Sequence, residues 1–83
     1  MLILLEIWNN DKIEITDKCF EIIESTYNIE LLEDSIIRCF QYDTYVHNRC
    51  YKLNQRQYYK LINTLHRFEK MYNITYILDI ISS

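Results

Sequence analysis

The chain contains no glycine, no proline and no alanine. Without glycine, a loop that cradles phosphate with bare backbone is excluded. Any turn that needs positive φ must use Asn or Asp, the non-glycine residues that enter that region most readily. The missing residues have GC-rich codons, whereas Ile, Asn and Tyr abound. That bias is expected of an AT-rich genome, such as a phage, a mobile element or a low-GC bacterium.

Long apolar runs are also missing. No run approaches the roughly 20 apolar residues of a membrane-spanning helix. The opening MLILLEIW is too short for a signal core, lacks a basic flank and is broken by Glu6. Cys19, Cys39 and Cys50 are odd in number and irregular in spacing, which argues for reduced thiols rather than a disulfide framework. The expectation is a soluble, cytoplasmic protein without a membrane partner.

What is present reads as one globular domain over residues 1–83: 49% of the residues are hydrophobic and 25% charged, too apolar for a disordered chain. The net charge of −3 hides an asymmetry. Met1 to Asp34 carries nine acidic residues against Lys12 and Lys18, a balance of −7, and Ser35 to Ser83 carries three against seven basic ones, a balance of +4.

Periodicity places the elements. Leu2 to Trp8 is almost continuously apolar, as in a central buried strand. Asn9-Asn10-Asp11 follows as a turn, and Lys12 to Thr16 alternates, with Ile13 and Ile15 on one face, so the two runs predict a hairpin. Thr16 or Asp17 then caps a helix with Phe20, Ile23 and Tyr27 inward and Lys18, Glu21, Glu24 and Ser25 toward water, closed by Asn28. Ile29 to Tyr42 is open between helix and strand: Ile29, Leu32, Ile36 and Phe40 have helical spacing, but SIIRCFQY is rich in β-branched and aromatic residues, so strands are preferred, with turns at Glu33-Asp34 and Asp43-Thr44. Val46 to Tyr72 reads as a strand running into the longest helix, in which Tyr58, Leu61, Ile62, Leu65, Phe68 and Tyr72 share one face. Asn54 caps its start and Asn73 its end. Ile74 to Ile81 suits another inner strand.

The first helix closes on Tyr27-Asn28-Ile29 and the second on Tyr72-Asn73-Ile74, an echo of two strand-helix-strand units. The expected fold class is α+β: a mostly antiparallel sheet of four to six strands with two helices on one face, in the βαββαβ order of ferredoxin-like folds with an extra N-terminal strand.

Candidate chemistry is sparse. His47 and Cys50 invite a metal site, but residues three apart on a strand point to opposite faces, so packed, inert cysteines are expected and no metal or cofactor. Arg49 and Lys52 flank Cys50 without any positioned base, and Glu21 with Glu24 are expected to be solvated, which removes the reason for a shifted pKa. The chain is not expected to be an enzyme.

Surfaces carry the remaining expectations. Glu14, Asp17, Glu21, Glu24, Glu30, Glu33 and Asp34 form a candidate acidic ridge. It suggests a small non-catalytic inhibitor of the anti-CRISPR or anti-restriction type, encoded by a phage or mobile element, which mimics nucleic acid and blocks a larger host protein or ribonucleoprotein complex. The alternative is a single-stranded nucleic-acid-binding module. There Arg56, Lys60, Arg67 and Lys70 would follow a phosphate backbone, and Tyr45, His47, Arg49 and Tyr51 would offer planes for bases. A third reading is a homo-oligomer in which unlike surfaces meet.

Overall fold

The computed structural model describes residues 1–9, 13–39 and 44–82. They form β1 (Leu2–Trp8), α1 (Ile13–Tyr27), β2 (Glu30–Cys39), β3 (Thr44–Lys52), α2 (Gln55–Tyr72) and β4 (Thr75–Ser82). The sheet order is β2-β3-β1-β4 and every neighbouring pair is antiparallel. Two strand-helix-strand units thus interleave, their first strands at the centre and their last strands at the edges. This is the ferredoxin-like α+β arrangement, with both helices on one face.

Strand period explains the layer between sheet and helices. Ile3, Leu5 and Ile7 of β1 are fully buried, alternating with partly exposed neighbours, and His47 and Tyr51 of β3 lie on the same side. From above, α1 contributes Cys19, Phe20 and Ile23, and α2 contributes Leu61, Leu65 and Phe68. Each such apolar side chain contributes about 1.5 to 3 kcal/mol relative to exposure, which fixes the strand faces against slippage by one residue.

The helix ends follow from the missing glycine. Asn28 (φ 49°) and Asn73 (φ 52°) are the positive-φ residues among those described. Each ends a helix and hands the chain to a buried isoleucine, Ile29 or Ile74. The Tyr-Asn-Ile echo therefore marks equivalent positions in the two units. Asn9 adds to the second exit by donating from Nδ2 to the carbonyls of Tyr72 (3.0 Å) and Asn73 (3.1 Å). At the start of α2, Asn54 and Gln57 exchange both bonds of a capping box.

Several sequence expectations are corrected. Among the described residues there is no extra N-terminal strand: Ile13 to Thr16 is the first turn of α1, and β1 already has β3 on one side and β4 on the other, leaving no edge for a hairpin partner. Helical period also suits the segment better, because it stacks buried Thr16 with Cys19, Phe20 and Ile23. Neither Thr16 nor Asp17 is a cap, since both lie inside the helix. Glu33 and Asp34 are not a turn but lie within β2, which absorbs one irregular residue between Leu31 and Glu33. β4 is an edge strand rather than an inner one. The expected turn residues Asn10 and Asp11 lie outside the described residues, as does the Asp43 part of the Asp43-Thr44 turn.

Candidate functional site

Between α1 and the β2–β3 side of the sheet lies a polar cluster. Glu24 Oε2 accepts from Arg49 Nη1 and from the Tyr51 hydroxyl, both at 2.6 Å. Arg49 Nε donates to Asp34 Oδ1 at 3.1 Å, and its guanidinium lies 4.5 Å from the Phe20 ring centroid. Burial works against the Arg49 charge, but its hydrogen bonds to Glu24 and Asp34 outweigh that and hold its pKa above the ordinary value. Burial, reinforced by the bond to Glu24, pushes the Tyr51 phenol up. A cation shared between two carboxylates is a clamp that fixes α1 to β2 and β3.

His47 completes this side. It is 1% exposed and stacks with Phe20 at 6.2 Å between centroids. Its Nδ1 lies 3.0 Å from Asp17 Oδ1, but neither ring nitrogen makes an aligned hydrogen bond. Burial lowers its pKa, and the nearby Asp17 charge only partly opposes this.

The candidate acidic ridge is therefore not one surface. Glu14 and Glu21 stay exposed on α1, Asp17 is half exposed beside His47, and Glu24 and Asp34 are occupied by Arg49. Glu24 is not the solvated residue its helical position suggested. Glu30 and Glu33 pair in register with Lys52 and Cys50, which puts them on the opposite face of the sheet.

The basic and aromatic surface also divides. Arg56, Lys60, Arg67 and Lys70 are all exposed along α2, as their spacing predicts. Arg49, His47 and Tyr51 turn toward the helices instead, so they present no planes to bases. The side chain of Tyr45 lies outside the described residues. His47 and Cys50 point to opposite faces, as strand geometry requires, and burial raises the Cys19 thiol to about 11.

The face of the sheet away from the helices was not singled out from sequence. Register places Leu2, Leu4, Glu6 and Trp8 of β1 there, beside Val46, Asn48, Cys50 and Lys52 of β3, Glu33 and Ser35 of β2, and Ile77 and Asp79 of β4. Asn48 is only 6% exposed although no helix covers it, and its Oδ1 has no hydrogen-bond partner. At the far end Trp8 Nε1 is likewise buried and unpartnered. A hollow of about 210 Å³ opens beside Asn48, lined by Leu4, Glu33, Ser35, Asn48 and Cys50. The sequence signal was the alternation of Leu4, Glu6 and Trp8 with buried residues, but it becomes legible only once the helices are known to lie on the other face.

No protein-family model matches the chain, and no curated protein does. Its similarity is to solved structures. The chain resembles a glycine cleavage system transcriptional repressor, so assigned, with a TM-score of 0.79 at 11% identity over 99% of this chain and 47% of that one. It resembles formyltetrahydrofolate deformylase from Burkholderia mallei with a TM-score of 0.77 at 4% identity, over 100% of this chain and 29% of that one. With an ACT domain protein from Streptococcus pneumoniae the TM-score is 0.71 at 12% identity, over 95% and 88%. The chain thus spans about half of the first and under a third of the second. At such identities the shared property is the fold. Among the described residues no helix is long and apolar enough to cross a membrane.

Proposed function

We propose that this chain is a non-catalytic binding module of regulatory type, and that it assembles with a second copy along the edge of β4. Exposure of that edge is the observation that supports this. Ile77, Ile80 and Ile81 are 45%, 52% and 56% exposed in an eight-residue strand whose one charge is Asp79. Edges meant to stay free are shortened, charged or bulged, because their unpaired N–H and C=O groups otherwise recruit another strand. β2, the other edge, also exposes Leu31, Leu32 and Ile36, but it carries Glu30, Glu33 and Asp34. β4 carries Asp79 alone against those three carboxylates, and its register with β1 shifts between Leu2 and Ile3.

The geometry of such a pair is restricted. A two-fold axis perpendicular to the sheet requires some residue to face its own copy. Centring on Asp79 would oppose two carboxylates, whereas centring on Leu78 sets Tyr76 against Ile80 and Ile77 against Asp79. The product is a continuous eight-stranded sheet with all helices on one side. Sedimentation equilibrium in the micromolar range is expected to give a dimer for the native chain and a monomer for Ile77→Lys combined with Ile80→Lys. A native chain that stays monomeric at 100-fold higher concentration would defeat the reading.

Two narrower readings keep an observation each. Glu14 and Glu21 remain free along α1, which suits an inhibitor of the anti-CRISPR or anti-restriction type docked in the nucleic-acid cleft of a larger cytoplasmic host complex. The exposed cations of α2 suit single-stranded nucleic acid. Glu14→Lys with Glu21→Lys is expected to abolish capture of the host complex under the first. Arg56→Glu with Lys60→Glu is expected to abolish salt-sensitive oligonucleotide binding under the second; unchanged binding in either case removes that reading.

A further inference from the structure

We propose that two copies joined along β4 also meet through their second helices, Ile62 of one α2 packing on Ile62 of the other, so that the seam is a two-layer interface with a small apolar core of its own. The inference rests on the β4 pairing and adds the surface that lies above it.

Contacts of α2 show which flank faces where. Leu61, Leu65 and Phe68 are buried in the core. Thr64 and Gln57 reach Tyr27, so their flank faces α1. His66 meets the Tyr76 ring of β4 edge-on at 6.2 Å and lies 3.4 Å from Glu69, so the row Tyr58, Ile62, His66 and Glu69 looks over the open edge. That row holds one carboxylate and none of the cations Arg56, Lys60, Arg67 and Lys70. Below it, Tyr76, Leu78 and Ile80 stand in register with buried Ile7, Leu5 and Ile3, hence on the helix side of the sheet. Ile80 is exposed, and Tyr58, Ile62, Tyr76 and Leu78 are half-buried. Strand and helix therefore leave apolar surface open on the same side.

The two-fold axis through Leu78 decides what these rows meet. Only Asn73 and Ile74 join α2 to β4, so the two run in opposite directions. From Tyr76 to Leu78 is about 6.6 Å along a strand, and from His66 back to Ile62 is about 6 Å along a helix, which brings Ile62 level with the axis. Ile62 of one copy thus faces Ile62 of the other, Tyr58 of each faces His66 of the other, and no like charges are opposed. Spacing agrees. Four strands at ~4.8 Å give two helices a sheet about 19 Å wide, one helix in about 10 Å. Continued across the seam, that repeat leaves the two α2 axes near the ~8 to 10 Å of packed helices. Area favours the contact too. An edge of eight residues is a strip about 26 Å long and ~10 Å deep, well under the ~800 Å² per partner of a stable interface. The 18-residue α2, about 27 Å long, roughly doubles that strip.

Sedimentation establishes the dimer, and cross-linking of the full chain tests the helix contact within it. With a short-spacer bismaleimide, Ile62→Cys is expected to give covalent dimer at least tenfold faster than Asn63→Cys, which is exposed and one residue on but turned about 100° round the helix. The native chain supplies the background from Cys39 and Cys50. Ile62→Cys is a small apolar exchange at a half-buried position, so the folded chain is retained. Adding Ile77→Lys and Ile80→Lys is expected to return the Ile62→Cys rate to that background. A sedimenting dimer in which Ile62→Cys cross-links no faster than Asn63→Cys overturns the helix contact and leaves the β4 pairing standing. Fast cross-linking that persists with Ile77→Lys and Ile80→Lys overturns the shared seam, and a native chain that stays monomeric removes both.

Discussion

A neutral imidazole packed against Phe20, with Asp17 at 3.0 Å, resists a proton that the unfolded chain accepts readily. Because burial lowers the His47 pKa from 6.5, stability from this residue is full above pH 6.5 and is lost as pH falls from there toward the folded-state value. The loss is bounded at about 1.4 kcal/mol per pH unit. Urea unfolding at pH 7.5 and 5.5 is expected to show it, and His47→Gln to flatten the difference; equal sensitivity in the variant would refute the assignment. Individual residues differ in how far sequence places them. Phe20 and Ile23 read as core from their helical spacing and are core. Glu24 read as solvated, because its surroundings depend on Arg49, which comes from a strand 25 residues later.

At the scale of elements, the helix exits are where composition meets geometry. An L-residue with a Cβ in the left-handed region costs roughly 1 to 2 kcal/mol, a cost that Asn tolerates and Gly avoids. Asn28→Ala and Asn73→Ala are each expected to lower stability by about 1 kcal/mol. Asn28→Gly is expected to leave it unchanged or raise it, as read from denaturant midpoints. Equal loss for Ala and Gly would mean that the Asn side chain, not its backbone freedom, is what matters. The α2 boundaries were legible because a capping box and a left-handed Asn are signals within one turn of chain. Lys12 to Thr16 was not, since five alternating residues fit a strand and a helical turn equally well. The choice falls to helix because both edges of β1 are taken by β3 and β4.

At the scale of the whole molecule, each strand-helix-strand unit ends in an edge strand, and the two edges have diverged. Both edges expose apolar side chains, but β2 carries three carboxylates against the single Asp79 of β4, which is why assembly is proposed at β4. Likewise the nominal ridge of seven carboxylates is divided by the sheet, with Glu24 and Asp34 paired to Arg49 and Glu30 and Glu33 on the far face. Spacing of apolar residues and the Asn signals act over a few residues, so they were sufficient for the α+β class, two helices, the helix ends at Asn28, Asn54 and Asn73 and the central place of β1. Which strands neighbour one another, which face stays bare and which charges meet depend on contacts between distant segments. Those contacts form only when the chain closes its core, so they emerged with the folded sheet.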